Sequence, residues 1–194
     1  MDMKNGARGE ELALSLSKGR GASVRRLATS AVLVAVACVF SPLAPHASPL
    51  LAQDSGIEVG SPAPDAALET LDGKPVRLSQ HIGKAPVVLE FWATWCPNCK
   101  QLEPLMAALH EKYGSQVRFV TVAVSINQSP ARVKQYVAKY RVPGDVWFDR
   151  KGEASGAYDV AATSYVVVID RAGKVVYTGL GGKQDLEAAI KKAM

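Results

Sequence analysis

From residue 57 onward, apolar and polar positions fall into short blocks whose period shifts between strand-like and helix-like. Residues 53–64 are loop-like, punctuated by Gly56, Gly60, Pro62 and Pro64. Leu68 to Leu78 predicts two short strands around an Asp72-Gly73 turn, a hairpin signal. Val87-Val88-Leu89-Glu90-Phe91-Trp92 is a strand-length apolar run broken by one acid, as expected for a strand buried on both faces of a mainly parallel sheet. Leu102, Leu105, Met106 and Leu109 then recur at helical spacing up to Tyr113-Gly114. Val117 to Val124 predicts a second buried strand. Ser129-Pro130 predicts a capped helix with a first-turn proline, running through Tyr140. A short strand at Val146–Phe148 follows, then one helical turn at Glu153–Tyr158. Tyr165–Ile169 and Val175–Thr178 form a second hairpin, and Asp185–Met194 closes as an amphipathic helix. The order β-α-β-α-β-β-α behind an N-terminal β-hairpin predicts an α/β fold: a mixed central sheet with helices on both faces.

The first 52 residues have a different pattern. Arg25-Arg26 precede an uncharged run, Leu27 to Phe40, which Ser41, Pro42 and Pro45 end before Leu50-Leu51-Ala52. A positive start, an apolar centre and a small residue before the cut predict a secretory signal cleaved after Ala52. Two alternatives stand beside it. Ala35-Val36-Ala37-Cys38 loosely matches a lipoprotein box, which would lipidate Cys38, or the run stays as an anchor, although it is shorter than the roughly 20 residues of a membrane span. Each version makes the domain exported, periplasmic or otherwise extracytoplasmic. Residues 1–23 are polar and predict disorder, with a true start near Val24 as the alternative. The expected organisation is therefore 1–23, a leader or anchor at 24–52, and one domain at 53–194.

Charge adds little to this picture. Six of the 23 basic residues lie in the first 30 positions, and from residue 53 onward 17 basic residues face 15 acidic ones. No Lys/Arg run in the domain could track phosphates, so nucleic acid is not an expected partner despite the net charge of +5.

The cysteines carry the chemistry. Cys38 lies in the leader, so the domain holds only Cys96 and Cys99. Two cysteines this close do not staple a fold. The pair falls where a buried strand ends and a helix begins, and there unpaired N–H groups and the helix dipole favour a thiolate. Cys96, at the exposed start of the helix, is the expected nucleophile. Cys99, one turn later and more buried, is the expected resolving thiol. Pro97 suits the first helical turn because it needs no N–H there. A structural zinc site needs four ligands, and the domain's only histidines, His81 and His110, lack ligand-like spacing. Inert packing cysteines are the remaining alternative.

Phe91-Trp92-Ala93-Thr94-Trp95-Cys96-Pro97-Asn98-Cys99-Lys100 resembles the active-site segment of thioredoxins, most closely that of their exported TlpA/ResA-type, redoxin-like relatives. The similarity extends over roughly residues 57–194, through Gly60–Asp65, Leu71–Lys74, Phe148–Gly152 and Ile169–Lys174. It implies the thioredoxin fold and dithiol–disulfide exchange without a cofactor. It implies as partners a membrane thiol reductant and cytochrome c apoprotein or other exported thiol proteins; beside it, a monomer that acts more as a reductant than an oxidant is expected. Glu90 stands six residues before Cys96, where thioredoxins carry a buried acid. Desolvation there would raise its pKa and make it a proton acceptor for Cys99, whereas an edge-facing glutamate would be solvated. Trp92 and Trp95 are expected to pack, with Trp95 framing the site, and Lys100 to be an exposed helix lysine.

The sequence departs from the family at two places. The family's cis-proline position holds Ser164, after Thr163, and a non-proline cis bond costs about 2.5–4 kcal/mol, so a trans bond is expected. The family's substrate-binding and metal-shielding roles for that loop are therefore not carried over to Thr163 and Ser164 by the resemblance alone. Asn98 stands where many relatives have proline or histidine, which leaves the potential of the couple open.

Three functions follow from these readings. A dithiol oxidoreductase is the leading one. A non-catalytic module that binds a partner, a metal or an iron–sulfur cluster at unshielded thiols is the second. A thiol peroxidase is the third, although the threonine and proline such enzymes place before their cysteine are here Ala93 and Leu89.

Overall fold

A computed structural model describes residues 56–194. The leader, the signal-cleavage site and Cys38 lie outside the described residues. The first hairpin is β1 (Ala67–Thr70) and β2 (Pro75–Arg77), paired antiparallel from Ala67↔Arg77 to Glu69↔Pro75. Gly73 makes its turn at a φ of 79°, a conformation that a side chain strains, and the Thr70 hydroxyl accepts from the Lys74 N–H. A single 3₁₀ turn follows at Leu78–Gln80.

The central strand β3 is Val87–Trp92, and all six of its residues are buried. Helix α1 (Pro97–Tyr113) returns the chain to β4 (Arg118–Val124), parallel to β3. Helix α2 (Pro130–Tyr140) then leads to β5 (Asp145–Asp149), parallel to β4. As expected from the sequence, the Ser129 hydroxyl caps α2, accepting from the Arg132 N–H, with Pro130 in its first turn. After the short α3 (Glu153–Ala157), β6 (Tyr165–Ile169) and β7 (Val175–Leu180) form the last hairpin, and α4 (Leu186–Ala193) closes the fold. The sheet has seven strands in the order β2-β1-β5-β4-β3-β6-β7. The N-terminal hairpin is part of this sheet, because β1 pairs antiparallel with β5.

The period of two along β3 and β6 divides the core. Val88, Val166 and Val168 pack with Leu102, Met106 and Leu109 of α1 and Leu186 and Ile190 of α4. Leu89, Phe91, Val167 and Ile169 belong to the other cluster, with Leu78, Ala154 and Tyr158. A strand buried this completely has no tolerance for voids, and Leu89→Ala would cost about 2–5 kcal/mol. This rigid strand ends where the Cys96 turn begins.

The entry segment is loop-like but pinned. Gly60 and Ala63 donate main-chain N–H bonds to Val175 and Gly173, and Ser61 accepts from Val175. The Tyr158 phenol donates to the Pro64 carbonyl. Asp149 is buried at the end of β5, where its carboxylate accepts from the N–H groups of Ala154 and Ser155 and from the Ser155 hydroxyl, fixing the start of α3.

Candidate active site

The turn after β3 is built by its own side chains. Thr94 donates its N–H to the Gln128 side-chain oxygen at 2.9 Å, and the Gln128 amide donates to the Val124 carbonyl at the end of β4. Trp95 is partly exposed and donates its indole N–H to the Ile126 carbonyl at 2.9 Å. The β4–α2 loop therefore holds the residues just before the cysteines.

Cys96 is the N-cap of α1. Its sulfur accepts the Cys99 N–H at 3.1 Å, and Pro97 occupies the first turn without needing an acceptor. The first turn of α1 carries no acid, and His110 and Lys112 lie at the far end, so the positive end of the dipole at Cys96 is not offset by a carboxylate of its own turn. The two cysteines form a disulfide with Cα atoms 5.3 Å apart. Cys99 is fully buried, as expected. Cys96 is not at an exposed start of the helix: in the disulfide form only 2% of its surface is accessible. Its exposed neighbours are Trp95, Pro97, Asn98 and Lys100.

Glu90 is not a solvated edge residue. It lies in the middle of β3, opposite Thr121 of β4 and Val166 of β6, and is 3% exposed. By the period of the strand it shares a face with Val88, which packs on α1, the helix that carries Cys99. Its Oε1 has no hydrogen-bond partner. Burial, with a smaller contribution from the charge of Glu103, pushes its carboxyl up to about 8. Glu90 therefore holds a proton at neutral pH while the disulfide is formed.

Ser164 sits immediately before β6, level with the end of β3, and donates its N–H to the Phe91 carbonyl at 2.8 Å. It is fully buried at a φ of 67°. Its carbonyl accepts from the Gly181 N–H and the Gln184 amide, and its hydroxyl donates to the Gly181 carbonyl. The same loop after β7 touches α1: a Cβ on Gly182 would lie 2.7 Å from the Gln101 Cβ and 3.0 Å from the Asn98 carbonyl. Ser164 is thus linked through residues 181–184 to the first turn of the cysteine helix. Thr163 lines a separate apolar recess of about 140 Å³ with Val124, Ile126 and Val160.

The histidines lie in other settings. His81 stacks on Trp147 and bonds Asp145, and His110 packs edge-on against Phe119. Among the described residues no group of three or more His, Cys, Asp or Glu side chains is placed to hold a metal. Four residues that shape the site were not singled out from the sequence: Glu103, Gln128, Tyr136 and Gln184. Each is polar on a helix or loop and reads there as a solvated position, because its partner is distant in the chain. The Gln128–Thr94 pair spans 34 residues and the Tyr136–Glu103 pair 33.

A family model described as Redoxin matches residues 58–193. The thiol–disulfide oxidoreductase ResA of Geobacillus thermodenitrificans is 31% identical over 141 residues, which cover 72% of this chain and 80% of that protein. The thioredoxin-like protein YneN of Bacillus subtilis is also 31% identical over 141 residues, covering 71% and 82%. Among solved structures, a thiol:disulfide interchange protein of the thioredoxin family from Chlorobium tepidum superposes with a TM-score of 0.60 at 27% identity, over 71% of this chain and 98% of that one. The match runs through nearly all of the described residues, and the chain belongs to the Redoxin family, as a thiol–disulfide oxidoreductase.

Proposed function

We propose that the protein is an exported reductant of protein disulfides, working as a monomer, with Cys96 as nucleophile, Cys99 as resolving thiol and Glu90 as the proton carrier of Cys99. The observation that carries this reading is the cap: the sulfur of Cys96 is the acceptor at the N-terminus of α1, in hydrogen-bond reach of the Cys99 N–H. A sulfur held there is stabilised as an anion when the disulfide opens.

In the forward half-reaction the Cys96 thiolate attacks one sulfur of a substrate disulfide. The substrate S–S bond breaks, and the first substrate sulfur leaves as a thiolate and is protonated. Cys99 gives its proton to the Glu90 carboxylate and attacks the Cys96 sulfur of the mixed disulfide. The second substrate sulfur leaves and is protonated, so the substrate gains two electrons and the enzyme ends with Cys96–Cys99 oxidised. In the return half-reaction a donor thiolate attacks Cys96, and Cys99 departs as a thiolate. Glu90, protonated at neutral pH in the disulfide form, is suited to supply the proton Cys99 then needs. A second donor thiol resolves that mixed disulfide and frees Cys96.

Export rests on the arginine pair and the uncharged run Leu27–Phe40. The substrate class proposed is an exported dithiol protein such as cytochrome c apoprotein, with a membrane thiol reductant as donor. Trp95, Pro97, Asn98, Thr163 and Ser164 are proposed to border the substrate. The test mixes the reduced full chain with an oxidised peptide carrying a Cys-x-x-Cys-His pair and follows both by alkylation mass. Reduction of the peptide in step with oxidation of Cys96–Cys99 is expected. A peptide disulfide that persists while the enzyme stays reduced would overturn the reading.

A further inference from the structure

Helix α2 carries three basic residues, Arg132, Lys134 and Lys139, and no acid. From residue 53 onward the chain is nearly balanced, 17 basic residues against 15 acidic, so this excess of positive charge is local. Lys134 pairs with Asp72. Arg132 and Lys139, by contrast, make no ion pair among the described residues.

Helical spacing gathers the unpaired charges. Arg132, Gln135, Tyr136, Lys139 and Tyr140 stand at i, i+3, i+4, i+7 and i+8, one stripe of α2. Together with Thr94 they line an open groove of about 330 Å³. Val133, off this stripe, is buried in the core and anchors the helix. The groove also has an aromatic part. Tyr136 packs edge-on against the buried Trp92, 5.1 Å between centroids, and Tyr140, half exposed, lies 4.3 Å from Tyr136. Lys139 sits over the Tyr140 ring at 4.9 Å. The carboxylate nearest the stripe, Glu103, is occupied by the Tyr136 phenol at 2.7 Å and does not line the groove.

The groove lies beside the chemistry. Thr94 stands two residues before Cys96, and its buried hydroxyl is without a partner within the chain, an unused donor at the cysteine end. Two residues span at most about 7 Å of chain, and Arg132 to Lys139 covers about 10 Å of helix.

We propose that this groove docks an acidic segment of the protein that exchanges disulfide with Cys96. Its carboxylates meet Arg132 and Lys139, and an apolar side chain beside them rests on Tyr140. The spans place those carboxylates about three to five residues from the partner's reacting cysteine. Two unpaired cations on one groove suit a short acidic peptide, whereas an anionic membrane surface is held by clusters of about four to eight. Exposed ion pairs add little affinity each, so the site acts chiefly on the rate of productive encounter. This rests on the exchange reaction proposed above and names a property of its partner.

The test uses two oxidised peptides of equal length, each with a Cys-x-x-Cys disulfide. One carries three glutamates beside the cysteines and the other glutamines in their place. The reduced full chain is mixed with each at low salt, and the ratio of the two second-order rates is the readout. Replacing both Arg132→Gln and Lys139→Gln is expected to lower the glutamate-to-glutamine ratio about 3–10-fold, and either substitution alone to lower it by less. Both side chains are exposed, and the single variants serve if the double one fails to fold. At 1 M salt, where the screening length is about 3 Å, parent and variants are expected to give the same ratio. A ratio that the substitutions leave unchanged at low salt overturns this inference alone. The same unchanged ratio with lost sedimentation on phosphatidylserine vesicles assigns the charges to a membrane surface instead. A parent that reduces neither peptide overturns the exchange reading, and this inference with it.

Discussion

The main-chain N–H of Cys99 donates to the sulfur of Cys96 at 3.1 Å, so the helix that carries Cys99 is capped by the sulfur of its own disulfide partner. Helix caps are ordinarily oxygens of Ser, Thr, Asp or Asn. Here the acceptor is a disulfide sulfur, the one that the proposed mechanism makes a thiolate when the disulfide opens.

From this relationship the two cysteines are expected to fail differently. Cys96→Ser keeps an acceptor at the cap and so preserves the helix, but it removes the nucleophile and reduces exchange to background. Cys99→Ser keeps the nucleophile and loses the resolving thiol, so covalent adducts with substrate accumulate at Cys96. Non-reducing gels and intact mass after mixing with a disulfide substrate separate the two. Equal activity in both variants contradicts the division of labour.

Glu90 makes stability depend on pH. An unfolded glutamate ionises near 4.5, whereas the folded one keeps its proton up to about 8. Between those values the folded state binds more protons, so this contribution is full below the unfolded value and fades as pH rises through the folded one. The oxidised protein is therefore expected to lose stability from about pH 5 to about pH 8, on the order of 2–4 kcal/mol from this group. Glu90→Gln cannot ionise and loses that slope, gaining on its parent as pH rises. Urea melts at both pH values check it, and parallel pH dependence in the two proteins contradicts it.

Ser164, buried just before β6 and expected from the resemblance to stand at the family's cis-proline position, has a φ of 67° that proline cannot adopt. Its N–H is also committed to Phe91. Ser164→Pro is expected to destabilise the fold by about 3 kcal/mol or more and not to recreate the family's loop. Ser164→Gly relieves the left-handed backbone but loses the hydroxyl bond to Gly181, and should stay within about 1 kcal/mol of the parent. Chemical denaturation of both variants decides; a proline variant as stable as its parent would show that the local conformation is not fixed.

Gln128 holds the turn before the cysteines by bridging the Thr94 N–H to the Val124 carbonyl. Gln128→Ala leaves a part-buried donor and acceptor unpaired and is expected to cost about 1–3 kcal/mol. Hydrogen exchange should quicken at Thr94–Cys96 well before it does at the core of β3. Unchanged protection of that turn would remove the role.

The strands and the paired cysteines were legible because their signals are local. Val87–Trp92 is apolar at every position but one, Ser129-Pro130 announces a helix start, and Cys96 with Cys99 sits at a strand–helix junction, each within a few residues. Glu90 was legible as an anomaly, a lone acid in that run. What the sequence concealed depends on distant partners. The cover over Cys96 comes from the tertiary fold, so a helix start expected to be exposed is buried in the disulfide form. The pairing of β1 with β5, which draws the first hairpin into the main sheet, depends on register across some 80 residues. Glu103 and Tyr136 look like solvated helix positions until α1 and α2 are brought together.

The reduction potential of the Cys96–Cys99 couple tests the central claim most directly. The full chain is equilibrated in graded thiol buffers, trapped by alkylation and read by mass. A single reversible two-electron transition is expected, nearer the thioredoxin value of about −270 mV than the DsbA value of about −120 mV. Cysteines that never interconvert between dithiol and disulfide would contradict the account.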